Sequence, residues 1–379
     1  MNGLREIAPA ALEDWLRERY FAARVDISSS GVENYRLADL RRLGGLTTDE
    51  LDGLIFRDGP ALGSERLRAA LAARLSPGPD HIVMTTHGSS EALFLAMAAL
   101  IEPGDEVVVL DPAYHSLTAL TTAFGARLRR WQLRPELGFA PDLADLRAVL
   151  TDRTRLVVVN FPHNPTGTSI DMTAQTELLE LVDRCGATLL WDAAFQDLVY
   201  DAPPLPDPVT AGARCLSFGT LSKAYGLPGL RVGWCMLPAA LAPQLSRIRD
   251  YLTLSLSPLT ELLAAVAVEH ADELVGPRLA QATANRRLLV EWAQSHCGAV
   301  EFTPPLGGVT AFPRFVEHAD VTGLCEDLLT THGVLVVPGS CFGHPDRMRI
   351  GFGCGEYDIR TGLAALDDVL SQRFPHRKA

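Results

Sequence analysis

A lysine set among small hydroxyl residues just past an apolar run is the strongest chemical signal in the chain. It lies in Ser217-Phe218-Gly219-Thr220-Leu221-Ser222-Lys223-Ala224-Tyr225-Gly226-Leu227-Pro228-Gly229-Leu230-Arg231-Val232-Gly233. An amine in that setting, with Arg231 eight residues on, suits a lysine that forms a Schiff base beside a bound anion. Thr220, Ser222 and Arg231 can then hold a phosphate. A lone Ser-Lys pair is ordinarily a surface lysine in a polar loop; the whole segment argues otherwise. A second anion-binding element is His87-Gly88-Ser89-Ser90-Glu91-Ala92. There the backbone N–H groups of Ser89 and Ser90 would face a phosphate at a helix N-terminus, although Gly-Ser-Ser is also an ordinary helix start. Asn160-Phe161-Pro162-His163-Asn164-Pro165-Thr166-Gly167 and Trp191-Asp192-Ala193-Ala194-Phe195 complete the set with amides and a carboxylate.

The elements that must position these groups are legible in the same stretch. Between about residues 80 and 235, short β-rich runs alternate with helical patterns: His81–Thr86, Glu106–Leu110, Arg155–Asn160, Ala187–Trp191, Cys215–Phe218 and Val232–Leu237. Ser89–Ile101 and Met172–Cys185 are the clearest intervening helices, the first stopped by Glu102-Pro103-Gly104-Asp105. Such alternation predicts an α/β domain with a mostly parallel sheet and helices on both faces. Ligands of open sheets sit at the carboxyl ends of the strands, where all four motifs fall. Outside that region stand a helical Leu12–Phe21, an extended Asp26–Tyr35, a long helix after about residue 275, and the strands Gly333–Pro338 and Arg347–Phe352. They predict a smaller α+β domain built from both chain ends. The expected division is 46–270 for the large domain, and 1–45 with 271–379 for the small one.

Composition excludes several classes. The 379 residues are 47% hydrophobic and 21% charged, a globular rather than disordered profile. A net charge of −12 without a compensating basic run makes a nucleic-acid surface a poor expectation. Seven widely spaced cysteines with no C-x-x-C read as reduced core residues. No apolar stretch reaches the length of a membrane span, and no metal site is expected. The cytoplasm is the simplest location.

With these four motifs in this order, the chain resembles the aminotransferase-like, fold-type I family of pyridoxal 5′-phosphate (PLP) enzymes over nearly its whole length. The resemblance implies PLP as cofactor. Lys223 then carries it as a Schiff base and afterwards moves protons, and Asp192 pairs with the pyridinium nitrogen. Asn164 donates to the ring's phenolic oxygen, and Tyr114, in Asp111-Pro112-Ala113-Tyr114, stacks on the ring face. Ser89, Ser90, Thr220, Ser222 and Arg231 hold the phosphate. Arg349, in Arg347-Met348-Arg349-Ile350-Gly351, resembles the family arginine that grips the substrate α-carboxylate with a two-pronged ion pair. Family precedent also implies a homodimer with shared active sites.

Two positions depart from that pattern. Phe195 stands where most aminotransferases of the family have a tyrosine reaching the phenolic oxygen. Asp58, in Asp58-Gly59-Pro60-Ala61-Leu62-Gly63-Ser64-Glu65-Arg66-Leu67-Arg68, stands where a tyrosine usually reaches the neighbouring subunit's phosphate. A carboxylate there repels phosphate but suits a cationic substrate, and Asp26 and Glu33 are further acids available to a guanidinium. With Glu13-Asp14-Trp15-Leu16-Arg17 and Phe56-Arg57-Asp58-Gly59-Pro60, these features resemble a narrower branch of the family. Its members are cyclases of peptide-antibiotic and streptothricin-type pathways that act on a hydroxylated arginine. The resemblance implies loss of water from (3S)-3-hydroxy-L-arginine followed by attack of its guanidine on Cβ, with His87 or Lys223 as the acid that expels the hydroxyl. An aminotransferase for a basic or aromatic amino acid and a PLP-dependent arginine oxidase use the same Lys223 and Asp192. A PLP-sensing regulatory module is the remaining alternative, and it ordinarily carries an added DNA-binding domain.

Overall fold

The structure is a computed structural model that describes residues 8–211 and 214–373. Seven strands form the central sheet: β1 (His81–Thr86), β2 (Glu106–Asp111), β3 (Arg127–Gln132), β4 (Thr154–Asn160), β5 (Thr188–Asp192), β6 (Cys215–Thr220) and β7 (Gly233–Pro238). Their order is β1-β7-β6-β5-β4-β2-β3. β7 runs antiparallel to β1 and β6, and the other neighbouring pairs are parallel. The mostly parallel α/β sheet is as expected, and the six predicted strands lie within a residue or two of their places.

The interior strands are near-continuous apolar runs because helices cover both faces. Val107–Val109, Leu156–Val159 and Leu189–Leu190 are almost wholly buried. The helix Gly88–Leu100 is apolar on most of its surface and buries Ala92, Leu95, Ala96 and Met97. The Asp171 side chain caps the helix Met172–Arg184, accepting from Ala174 N–H at 2.8 Å. β3 escapes the sequence pattern because it is an edge strand reading RLRRWQ, with Trp131 its one buried residue and arginines along the open edge.

The two chain ends meet beside this sheet. Val25–Asp26 pairs in parallel with Val334–Leu335, Ile27 N–H donates to Leu335 O at 3.1 Å, and Gly351 N–H donates to Ile27 O at 2.8 Å. The strand Met348–Gly351 lies between Thr310–Ala311 and Val337–Pro338. A Cβ at Gly351 would sit 2.0 Å from Ser29 O, so a glycine is what lets the segment after Ile27 press against the strand of Arg349.

Three expectations need correction. The extended Asp26–Tyr35 is strand only at Val25–Asp26 and irregular beyond it, because its backbone bonds go to scattered loop atoms such as Lys223 O and Gly353 O. Gly333–Pro338 divides into two strands of two residues. The seven cysteines are unpaired, but only Cys215, Cys235 and Cys325 are buried; Cys185, Cys341 and Cys354 are half-buried and Cys297 is exposed. Among the described residues no helix is long and apolar enough to cross a membrane.

Candidate active site

Strand register brings the chemistry together. Asn160 pairs with Asp192 across β4 and β5, Asp192 with Phe218 across β5 and β6, and Thr220 and Thr86 both with Gly233. The carboxyl ends of four strands therefore open on one place. A cavity of about 400 Å³ lies there, and ten of the expected residues line it: Ser89, Ser90, Tyr114, Asn164, Asp192, Thr220, Ser222, Lys223, Arg231 and Arg349.

Lys223 Nζ donates to Ser30 Oγ at 2.8 Å. Burial, then the Arg349 cation, push the amine down to about 8, while the Asp192 and Glu13 carboxylates oppose them. Asp192 moves the other way. Burial raises its carboxyl to about 6, against the Ala194 N–H and the Lys223 charge, and Ala194 N–H reaches its Oδ1 at 3.1 Å. Its backbone is held too, since Asn160 Nδ2 donates to Asp192 O at 3.0 Å. Asn160 Oδ1 in turn accepts from Asn164 N–H at 2.9 Å, so one amide sets both strand ends.

The anion-binding corner is built from close approaches. Thr220 Oγ accepts from Ser222 N–H at 3.1 Å and lies 3.0 Å from Ser222 Oγ, and Arg231 Nη1 is 3.3 Å from Ser222 Oγ. Gly88 has φ +74°, and a Cβ on it would lie 3.0 Å from Arg231 Nη2. A Cβ at Gly233 would lie 2.5 Å from Ser89 N, so β7 carries Arg231 against the start of the Gly88–Leu100 helix only as glycine. Hydroxyls, helix N–H groups and a guanidinium converge there, as a phosphate requires. The buried carboxylate of Asp192 and the amine of Lys223 complete a donor set that fits PLP.

Arg349 is almost fully buried. Its Nη1 donates to Asn164 Oδ1 at 3.1 Å and its Nη2 to Ser28 O at 2.8 Å, while Nε is buried without a hydrogen-bond partner among the described residues. That orphaned donor leaves the cation able to receive a carboxylate. Phe195 lies on the cavity wall, its ring centre 5.8 Å from Lys223 Nζ.

Four expected residues do not line this cavity. His87 Nδ1 is 3.2 Å from Glu91 Oε2. Burial raises the Glu91 carboxyl, but bonds from His87 and Thr253 and the Arg249 cation outweigh it and hold Glu91 at about 2. His87 is thus tied into a carboxylate-centred cluster outside the cavity lining. The Asp26 carboxylate accepts from Ser28 N–H at 2.8 Å and from Ser28 Oγ at 2.6 Å, closing its own turn. Glu33 is exposed and pairs with Arg278 at 2.7 Å and Gln281 at 3.0 Å. Asp58 is exposed on a loop outside the cavity.

The sequence reading missed others that the cavity contains. Ser29 and Ser30 come from the segment packed on Gly351, and Leu12, Glu13, Leu16 and Tyr20 from the helix Ala11–Arg19 and its continuation. Glu13 Oε1 accepts from Tyr114 Oη–H at 3.1 Å. Spacing i, i+1, i+4 and i+8 is one helix face, which was the available signal.

Known proteins match this arrangement. The family model described as aminotransferase class I and II matches residues 48–366. The chain is 66% identical over 378 residues to a capreomycidine synthase of Streptomyces vinaceus, covering 99% of this chain and 97% of that protein. It is 30% identical to an arginine–pyruvate transaminase of Pseudomonas aeruginosa, over 73% of this chain and 72% of that one. The crystal structure of the PLP-dependent cyclase OrfR superimposes with a TM-score of 0.92 at 40% identity, covering 98% of this chain and 99% of that chain.

Proposed function

The chain belongs to the aminotransferase class I and II family, and from that premise we propose that it is a PLP-dependent cyclase that converts (3S)-3-hydroxy-L-arginine into capreomycidine for antibiotic biosynthesis. The observation that carries this reading is the 66% identity, over almost the whole of both chains, to a capreomycidine synthase. The TM-score of 0.92 to a PLP-dependent cyclase supports it.

PLP, when bound, supplies the electron sink that makes a substrate Cα–H acidic. In this reading Asp192 holds the ring nitrogen, Asn164 the phenolic oxygen, Tyr114 the ring face, and Ser89, Ser90, Thr220, Ser222 and Arg231 the phosphate. Arg349 fixes the α-carboxylate, which aims the Cα–H bond at Lys223 Nζ. Lys223 takes that proton, and a proton delivered from the same amine leaves with the 3-hydroxyl as water. Ser30 holds the amine between these positions. A guanidine nitrogen of the substrate bonds to Cβ and gives a proton to Lys223, which returns one to Cα, and the net change is loss of one water with ring closure. His87, bonded to Glu91, is left out of this route. Residues 46–270 serve as the cofactor-holding unit, and 1–45 with 271–379 as the unit that brings Arg349.

We further place the enzyme as a cytoplasmic homodimer. Seven unpaired cysteines suit a reducing compartment. Ile55 and Phe56 are 71% and 73% exposed and Tyr251 is 87% exposed. Their segments are joined by Gly59 N–H donating to Ser255 Oγ at 3.0 Å and by Arg249 Nη1 donating to Ala61 O at 2.6 Å. Exposed apolar side chains on two joined segments suit a second copy, and Asp58 lies on one of those segments.

The arginine–pyruvate transaminase likeness favours transamination of a basic amino acid as the second reading. Incubating PLP-loaded enzyme with (3S)-3-hydroxy-L-arginine, with and without pyruvate, separates the two. The cyclase turns over many times without a keto acid; an aminotransferase stops after one half-reaction until a keto acid is supplied.

A further inference from the structure

The guanidinium of a basic substrate needs an acid in the cavity, and none of the three acids that the sequence nominates lines the cavity of its own chain. Asp26 takes both Ser28 bonds at Oδ1 and lies outside the cavity lining, Glu33 is paired with Arg278, and Asp58 is on an exposed loop. Two carboxylates do line the cavity, Asp192 and Glu13. Asp192 belongs to the cofactor set. Glu13 is half-buried, and among the described residues its hydrogen-bond partner is Tyr114 alone, at Oε1. Its second oxygen is therefore free to accept.

The helix that presents Glu13 is firmly seated. Trp15 Nε1 donates to Val336 O at 2.9 Å, Arg19 pairs with Glu326 at 2.6 Å, and Cys341 Sγ lies 3.6 Å from Ala11 O. Leu12 and Leu16 flank Glu13 on the same face, giving a methylene chain an apolar wall. The cavity thus carries a buried cation, Arg349, and a carboxylate, Glu13, complementary to the carboxylate and guanidinium of one small zwitterion. Because Glu13 is bonded to Tyr114, itself on the cavity wall, a guanidinium held there stays near the reacting carbons rather than extending out to solvent. That is the folded conformer that ring closure demands.

We propose that Glu13 is the specificity residue that receives the substrate guanidinium, with Tyr114 fixing the orientation of its carboxylate. This rests on the basic-amino-acid reading above. Charge-assisted N–H···O bonds of this kind are the stronger class of hydrogen bond, and a neutral amide at Glu13 would accept one bond without the charge.

The test titrates PLP-loaded enzyme with L-arginine and with L-citrulline, its neutral near-isostere, following cofactor absorbance rather than turnover. The wild type is expected to prefer arginine by about 10- to 100-fold, and Glu13→Gln to bring the ratio within about threefold of unity. The unliganded variant should still show the absorbance of lysine-bound cofactor, which verifies that it is folded and loaded. Glu13→Asp should restore part of the preference. A Glu13→Gln enzyme that keeps the wild-type ratio overturns the assignment and leaves the basic-substrate reading intact. A wild type that does not distinguish the two ligands overturns both.

Discussion

Lys223 Nζ and Ser30 Oγ lie 2.8 Å apart although 193 residues separate them in sequence. The contact exists because Val32 N–H donates to Lys223 O at 3.3 Å and Gly351 leaves room for the segment around Ser29. The N-terminal segment therefore lies directly over the catalytic amine. Replacing Ser30 by alanine removes the group that orients the amine, and a hydrogen bond to a charged donor is worth about 1.5–3 kcal/mol. We expect kcat to fall about 10- to 100-fold, with KM for the amino acid changed less than threefold by order of magnitude. A change confined to KM would contradict this role.

The shifted amine gives a pH signature. Lys223 sits at about 8 rather than 10.5, chiefly through burial. A lowered lysine pKa makes the neutral, nucleophilic amine the majority form above about pH 8. Cofactor-stripped enzyme should take up PLP at a rate that climbs through pH 8 and levels off beyond it, read from the absorbance of the lysine-bound cofactor. Because Glu13 favours the charged amine, Glu13→Gln should move the midpoint down. A rate still climbing towards pH 10.5 would contradict the assignment.

At the phosphate corner, Gly88→Ala forces a side chain into φ +74° and places its Cβ 3.0 Å from Arg231 Nη2. The backbone cost alone is roughly 1–2 kcal/mol. PLP affinity measured by equilibrium titration should weaken about tenfold, and wild-type affinity would show that Gly88 and Arg231 do not share a ligand.

Arg349→Lys keeps the charge but loses the planar fork that reaches Asn164, Ser28 and a carboxylate together. We expect kcat/KM for the amino acid to drop about 10- to 100-fold, mostly through KM. PLP binding should be unchanged. Equal loss of PLP affinity would place Arg349 in the cofactor shell instead.

What the sequence made legible follows from where the groups sit. Asn164, Asp192, Thr220 and Lys223 stand at or just beyond the ends of apolar runs, which marks their place at the strand ends while the family resemblance supplies their roles; Ser89 and Ser90 follow a glycine that opens a helix. Glu13 was hidden because one acid on an amphipathic helix normally faces water, and only tertiary packing through Trp15 turns its face inward. Ser30 was hidden because no periodicity governs an irregular segment. Asp26 and Glu33 fall outside the cavity lining for the complementary reason: an acid at the end of a short strand or in an irregular segment carries no mark of whether a nearby serine or arginine engages it. The strand β3 was missed because its arginines lie on an edge rather than in a core.

The most direct measurement is the product formed from (3S)-3-hydroxy-L-arginine in D2O by PLP-loaded enzyme with no keto acid, resolved by mass spectrometry and NMR. The cyclase account predicts a product that has lost one water, carries deuterium at Cα from Lys223 exchanging with solvent, and shows a new bond between Cβ and a guanidine nitrogen. Deuterium at Cα in otherwise intact substrate, with conversion to a keto acid only once pyruvate is added, would contradict it.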